Sequence, residues 1–221
     1  MGKTIILDPG HGLDEKGQYQ RPLIYCTSNS AIVIPDSMSP HKNDHATGFY
    51  REDFGTLDIA RAVKAELECM GHTVYLTRED ERNAGLYLSE SSASDWKKKF
   101  WQSWKWIQEF TRAKKADIFV SIHTNAGGGT GCCAFWSNPP NGLTLCQDIC
   151  AEINKQLKLK IRRIEQHRYL VLRDVCNGRS VLLECLFHDN YDDIKLLLNK
   201  NGILSMGKAI AVGISNHIDR F

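Results

Sequence analysis

Thr4-Ile5-Ile6-Leu7-Asp8-Pro9-Gly10-His11-Gly12 is the stretch from which the rest of the chain is read. Its apolar run, Ile5-Ile6-Leu7, breaks into Asp-Pro-Gly-His-Gly, the pattern of a short buried strand that stops at a tight turn carrying a histidine. From Thr56 the spacing turns helical, with Ala60, Val63, Leu67 and Met70 on one stripe and Gly71 as the stop. Thr73–Leu76 then alternates as a second strand that ends at Thr77-Arg78. Strand, helix and strand in that order predict a parallel βαβ unit.

The same alternation continues to the end of the chain. Ile118–Ile122 is a nearly continuous apolar strand that runs into His123-Thr124-Asn125 and the glycines 127–129. Cys132–Trp136 and Arg168–Leu172 read as short strands, and Ser180–Leu186 is the most apolar strand of all, although it contains Glu184. Leu143–Leu157, Tyr191–Leu198 and Ile203–Ile218 have helical patterns. The expected fold is therefore α/β: a mainly parallel twisted sheet flanked by helices on both faces.

Two stretches interrupt this frame and read as insertions, at about 13–50 and 80–112. The first has no sustained periodicity, but Leu23–Thr27 and Ala31–Ile34 flank Ser28-Asn29-Ser30 in the manner of a hairpin. The second carries an aromatic helix over Asp95–Lys114, with Trp96, Phe100, Trp104, Ile107 and Thr111 on one stripe and Trp101 and Trp106 off it. Such a stripe docks on a core; the lysines 97–99 and Lys105 around it also suit a substrate or membrane-surface contact.

The totals bound the function. With 221 residues, 42% hydrophobic and 24% charged, the chain has material for a sizeable core and is expected to form a single domain over 1–221. A net charge of +2 does not argue for nucleic acid. No run reaches the roughly 18 apolar residues of a membrane span, and the opening run is shorter than the roughly 7–15 residues of a signal-peptide core. Synthesis in the cytoplasm without stable membrane insertion is the corresponding expectation. The eight cysteines lack CxxC spacing, and several lie in apolar runs, so buried reduced thiols are expected; Cys146 and Cys150 share one helix face.

In open α/β sheets, ligands bind just beyond the carboxyl ends of strands. His11 and His123 both reach that edge, and two neutral imidazoles with one carboxylate and a water are the donor set of catalytic zinc. Glu52, ahead of the helix near Thr56, is the candidate carboxylate, with Asp53 its neighbour and competitor. Glu184 in Val-Leu-Leu-Glu-Cys-Leu-Phe faces burial, which requires a partner such as Arg173 or Arg179 or a raised pKa suited to a general base. His188 is placed near substrate, whereas His72, His167 and His217 read as surface or packing residues. His41 and His45 have i, i+4 spacing in a poorly helical context, and the glycines 127–129 read as a flexible loop that lacks a nucleotide-loop pattern.

Five segments together resemble the zinc-dependent N-acetylmuramoyl-L-alanine amidases, including phage endolysin catalytic domains: residues 6–12, 51–78, 116–126, 169–174 and 180–190. They occur in the family's order. The resemblance implies one Zn2+ per chain held by His11, Glu52 and His123, and it selects Glu52 over Asp53. It also implies Glu184 as the catalytic carboxylate and a peptidoglycan substrate cut between N-acetylmuramic acid and L-alanine. Asn125, Arg173 and His188 are candidate substrate contacts, and Asp8 is a candidate for orienting His11. A monomeric phage lysin acting on the bacterial wall, with holin-dependent release and no separate wall-binding domain, is the setting this suggests. The long 13–50 insertion, the tryptophan-rich 95–111 segment and Phe54 depart from the family's pattern.

Overall fold

The computed structural model describes residues 2–12, 43–44, 49–80, 84, 96–137, 141–176 and 179–220. The expected hairpin at Leu23–Thr27 and Ala31–Ile34 lies outside the described residues, as do His41 and His45. In chain order the elements are β1 (Thr4–Pro9), β2 (Asn43–Asp44), β3 (Phe49–Tyr50), α1 (Glu52–Cys69), β4 (Thr73–Leu76), α2 (Trp96–Ala113) and β5 (Ile118–Asn125). They continue with β6 (Cys132–Trp136), α3 (Asn141–Leu157), β7 (Ile161–Gln166), a 3-10 turn at Leu170–Leu172, β8 (Ser180–Phe187), α4 (Tyr191–Leu198) and α5 (Lys200–Ile218).

Six strands form one sheet in the order β4-β1-β5-β8-β6-β7. Every pairing in it is parallel except β6 with β8. The α/β fold with a mainly parallel sheet is therefore as expected, and the β1-α1-β4 unit is parallel as its pattern predicts.

Alternation along the strands gives the sheet two apolar faces. Ile5, Leu7, Val120, Ile122, Val181 and Leu183 pack under α1, α3 and α5, with Ile59, Val63, Leu145, Ile149, Met206 and Ile210 opposite. Here α5 lies so close to α1 that a Cβ on Gly207 would stand 2.4 Å from the Ala62 Cβ. Ile6, Phe119, Cys133, Phe135 and Leu182 form the other face, which Ile107 of α2 and Leu172 of the 3-10 turn cover. Helices thus lie on both faces.

The described part of the aromatic helix docks by its stripe, whereas the side chains of Trp96 and Phe100 lie outside the described residues. Ile107 and Thr111 are buried, the Trp104 indole donates to the Leu170 carbonyl and Gln108 Nε2 donates to the Arg173 carbonyl. Trp106 stacks on Phe110 at 4.8 Å and joins the core, while Trp101 stays 50% exposed.

Two assignments need correction. The Arg168–Leu172 segment is not a strand; residues 170–172 make a 3-10 turn, and the strand is β7 at Ile161–Gln166. Its sequence, Ile-Arg-Arg-Ile-Glu-Gln, hides it, because the isoleucines are three apart and a bulge lies opposite Cys132 and Cys133. Helix α1 begins at Glu52 instead of near Thr56. Two acidic residues in its first turn suit the positive end of a helix dipole, although they break the apolar periodicity.

Candidate metal centre

The turn after β1 is built so that two imidazoles meet over it. The Gly10 amide donates to the Ile122 carbonyl at 2.8 Å, tying the turn to β5. His11 takes a left-handed backbone, φ 63°, which a non-glycine residue adopts only when its surroundings hold it there. Gly10 leaves the space: a Cβ on it would stand 2.3 Å from Cε1 and 2.5 Å from Nδ1 of His123.

Arg78 holds this turn from beneath. It is 2% exposed, and it donates through Nε to the Pro9 carbonyl at 3.0 Å and through Nη2 to the Gly10 carbonyl at 3.0 Å. The same Nη2 reaches the Asp53 carbonyl at 2.6 Å, so one guanidinium fastens the histidine turn to the first turn of α1. Thr56 Oγ1 adds a bond to the Gly10 carbonyl at 2.9 Å. Sequence reading missed Arg78, whose only signal is a charged residue closing an alternating strand.

Glu52 stands at the start of α1 and faces both imidazoles. Its Oε2 lies 3.1 Å from His11 Nε2 and its Oε1 lies 3.3 Å from His123 Nδ1. The two rings are edge to face, with centroids 5.0 Å apart. One donor atom from each of the three residues falls within 4.8 Å of the others. The Thr124 amide also donates to Glu52 Oε1, at 2.9 Å. Burial by itself would raise the Glu52 pKa, but the charge and hydrogen bonds of His11 and His123 outweigh it and hold the carboxyl well below its usual range. Asp53 is turned away and pairs with Arg51, Nε to Oδ1 at 3.0 Å. Two imidazoles and one carboxylate converging at a strand edge form a site that can coordinate a metal ion.

Glu184 is the register partner of His123 on the neighbouring strand, so the two side chains leave the same sheet face one strand apart. Its neighbours Leu183 and Cys185 are buried, while Glu184 itself is partly exposed. Burial and then the nearby Glu184 carboxylate raise the Cys133 thiol and the Tyr169 phenol. Arg173 is exposed and its Nη2 donates to the Arg168 carbonyl, while Arg179 precedes β8 at the strand's far end.

The remaining candidates fall around this group. Both oxygens of the buried Asp8 are taken, Oδ1 by Thr77 Oγ1 at 2.6 Å and Oδ2 by Ser121 Oγ at 2.8 Å. Asp8 thus joins β1 to β5 and to Thr77, just past the end of β4, and these bonds do not hold the His11 ring. Asn125 ends β5 and accepts from the Ala126 amide through Oδ1. His188 is 7% exposed and stacks on Tyr50 at 5.5 Å, with Nδ1 3.0 Å from Thr124 Oγ1. Burial lowers its pKa. The glycine-rich loop after β5 is tied down: the Gly127 and Gly128 amides donate to Asp189 Oδ2, and the Gly131 amide donates to Asp193 Oδ2.

An α/β sheet carrying a His-Glu-His cluster at the carboxyl ends of its parallel strands has the architecture of a metal-site hydrolase. The family model described as N-acetylmuramoyl-L-alanine amidase matches residues 5–216. The chain belongs to that family. It is 26% identical over 215 residues to a probable cell wall amidase LytH of Staphylococcus saprophyticus, covering 96% of this chain and 57% of the relative. The corresponding protein of Staphylococcus epidermidis is 26% identical over 219 residues, covering 98% of this chain and 58% of the relative. The chain therefore spans a little over half the length of these curated relatives.

Among solved structures, it superposes on the CwlD amidase of Clostridioides difficile, determined in complex with the GerS lipoprotein, with TM-score 0.76, 25% identity and full coverage of both chains. The catalytic domain of the CD27L endolysin, which targets Clostridia difficile, shares the fold with TM-score 0.66 at 17% identity and 97% coverage of each chain.

Proposed function

We propose that this chain is a zinc-dependent N-acetylmuramoyl-L-alanine amidase, which hydrolyses the amide between the lactyl group of N-acetylmuramic acid and the L-alanine of the stem peptide. The observation that carries this reading is the placement of Glu184 one strand from His123, in register with it, beside the His11-Glu52-His123 cluster. His11, Glu52 and His123 would hold one Zn2+ per chain. Zinc in such a donor set supplies an acidified water and polarisation of the amide carbonyl.

The chain's own residues supply the rest. Glu184 takes the proton of the attacking water and returns it to the departing L-alanine amine, so that one carboxyl serves as base and then as acid. The Thr124 amide and the helix start hold Glu52 in place, and Arg78 keeps the turn bearing His11 against α1. Asn125, at the end of β5, and the neighbouring glycine-rich loop lie next to the same edge and are assigned to substrate contact.

The setting that goes with this chemistry is the bacterial wall. A lytic role in which the chain acts as a monomer and a holin-type partner provides access belongs to the same proposal. Lysis by co-expression with a holin, and no lysis without it, is the expected result.

Mass spectrometry of fragments from purified peptidoglycan, with and without chelator, tests the activity. Free L-alanine amino termini that vanish with chelator are expected; fragments cut at any other bond would refute the assignment. Glu184→Gln is expected to keep its zinc by elemental analysis and to lose at least about a hundredfold in kcat. His11→Ala and His123→Ala are expected to lose the metal, and stoichiometric zinc in both would rule out the cluster as its ligand set.

A further inference from the structure

The register of the sheet extends the site sideways. His123 of β5, Glu184 of β8, Cys133 of β6 and Arg163 of β7 are successive partners across four adjacent strands. Directly paired residues leave the same face, so these four side chains form one row. At a strand spacing of roughly 5 Å, the Arg163 backbone lies about 10 Å from that of Glu184.

The bulge opposite Cys132 and Cys133 inserts Arg162 into the same end of β7, and its guanidinium lies 5.5 Å over the ring of Phe187. Burial and the Glu184 carboxylate raise the Cys133 thiol, and both guanidiniums oppose them, so both charges stand beside the floor next to Glu184. Arg162 and Arg163 are exposed. Arg163 Nη1 lies 3.8 Å from Glu165 Oε2, and both side chains are half-exposed, which makes this a weak pair. Next to the row stands an aromatic wall: Phe135 meets Tyr169 at 5.3 Å, and His167 stacks on Tyr169 at 3.9 Å.

Resting on the amidase reading, we propose that Arg162 and Arg163 form a carboxylate-binding subsite for the stem peptide on the amine side of the scissile bond. The charge of the substrate decides the side. The lactyl carboxyl is itself the acyl group of the amide that is cut, so the free carboxylates of an uncut muramoyl peptide lie on the peptide. Two extended residues reach about 7 Å, and an arginine side chain spans the remaining distance. A carboxylate on the second stem residue therefore meets the planar donor fork that fits it best. The chain prefers peptides whose second residue keeps this carboxylate over those in which it is amidated.

Two muramoyl tripeptides that differ only in whether the second residue's α-carboxyl is free or amidated provide the test. The wild-type protein is expected to favour the free acid about five- to tenfold in kcat/KM, chiefly through KM. In the double variant Arg162→Ala/Arg163→Ala this ratio falls to about one, and Arg163→Lys restores it only in part. Direct binding of the free-acid peptide to Glu184→Gln, with and without the two alanines, gives the same ratio without turnover. Cleavage of both peptides with no preference, or a preference that survives the double variant, overturns the subsite and leaves the amidase reading standing. Cleavage of neither peptide by the zinc-loaded wild type overturns the amidase reading and the subsite with it.

Discussion

Replacing Gly10 by alanine is expected to separate metal binding from folding. The backbone at Gly10 is an ordinary one, so alanine brings no conformational strain of its own; its methyl group would arrive 2.3 Å from Cε1, 2.5 Å from Nδ1 and 2.6 Å from Nε2 of His123. Ordinary contact requires about 3.5 Å, so the ring must retreat by roughly 1 Å or turn about its χ angles. Overpacking of this kind costs about 1–3 kcal/mol of stability, which a sheet with two apolar faces tolerates. The cluster tolerates it less well, because a ligand displaced by about 1 Å leaves the coordination sphere that its partners define. Gly10→Ala is therefore expected to unfold cooperatively with a Tm lowered by several degrees and to bind zinc at least about tenfold more weakly. Competition against a chromogenic chelator measures the second quantity and calorimetry of the metal-free protein the first. Zinc affinity equal to wild type in a folded Gly10→Ala protein would refute the placement of His123 over this turn.

Arg78→Ala strips the buried carbonyls of Pro9, Gly10 and Asp53 of a shared donor and is expected to cost about 3 kcal/mol in urea unfolding, with Arg78→Lys recovering only part of it. His188 predicts a pH dependence in the metal-free protein. Below about pH 6.5 the unfolded chain protonates this imidazole while burial keeps the folded one neutral, so the unfolded state binds more protons and stability falls. The loss of Tm between pH 7 and 5 is expected to be smaller in His188→Gln, and an unchanged slope would count against it. Among the described cysteines, Cys69 is exposed, while burial pushes Cys150 up to about 12 and raises Cys146 and Cys185 further. Alkylation at pH 8 mapped by peptide mass spectrometry is expected to modify Cys69 in the native protein and those three only after unfolding.

Much of the frame was legible because its signals are local. Ile5-Ile6-Leu7 and Ser180–Leu186 are apolar runs long enough for a doubly covered strand, and the stripe Ala60, Val63, Leu67 can only be a helix face. His11 and His123 followed from the ends of such strands. What stayed hidden depended on partners distant in sequence. β7 is a charged strand, at the sheet's edge among the described residues, and it gains its shape from β6. Glu52 was read as lying ahead of a helix and proved to open it, since its acidic first turn resembles a loop until the helix dipole and two imidazoles are placed around it. Arg78 reads as a surface charge and becomes a buried clasp only when the turn at Pro9 and Gly10 arrives above it. Asp8 could be read as turn-maker or as support for His11; its two oxygens instead join strands whose order only the assembled sheet reveals.

The Arg78 clasp also sets an order of assembly during synthesis. His11 and Glu52 leave the ribosome early, but the turn and the helix start they occupy stay unfastened until Arg78 follows with β4. His123 and Glu184 come later still, on β5, which pairs with β1, and on β8, which lies between β5 and β6. A nascent or truncated chain that ends before β5 holds one imidazole and one carboxylate on a half-built edge, so the four groups coexist only once nearly the whole sequence has been made.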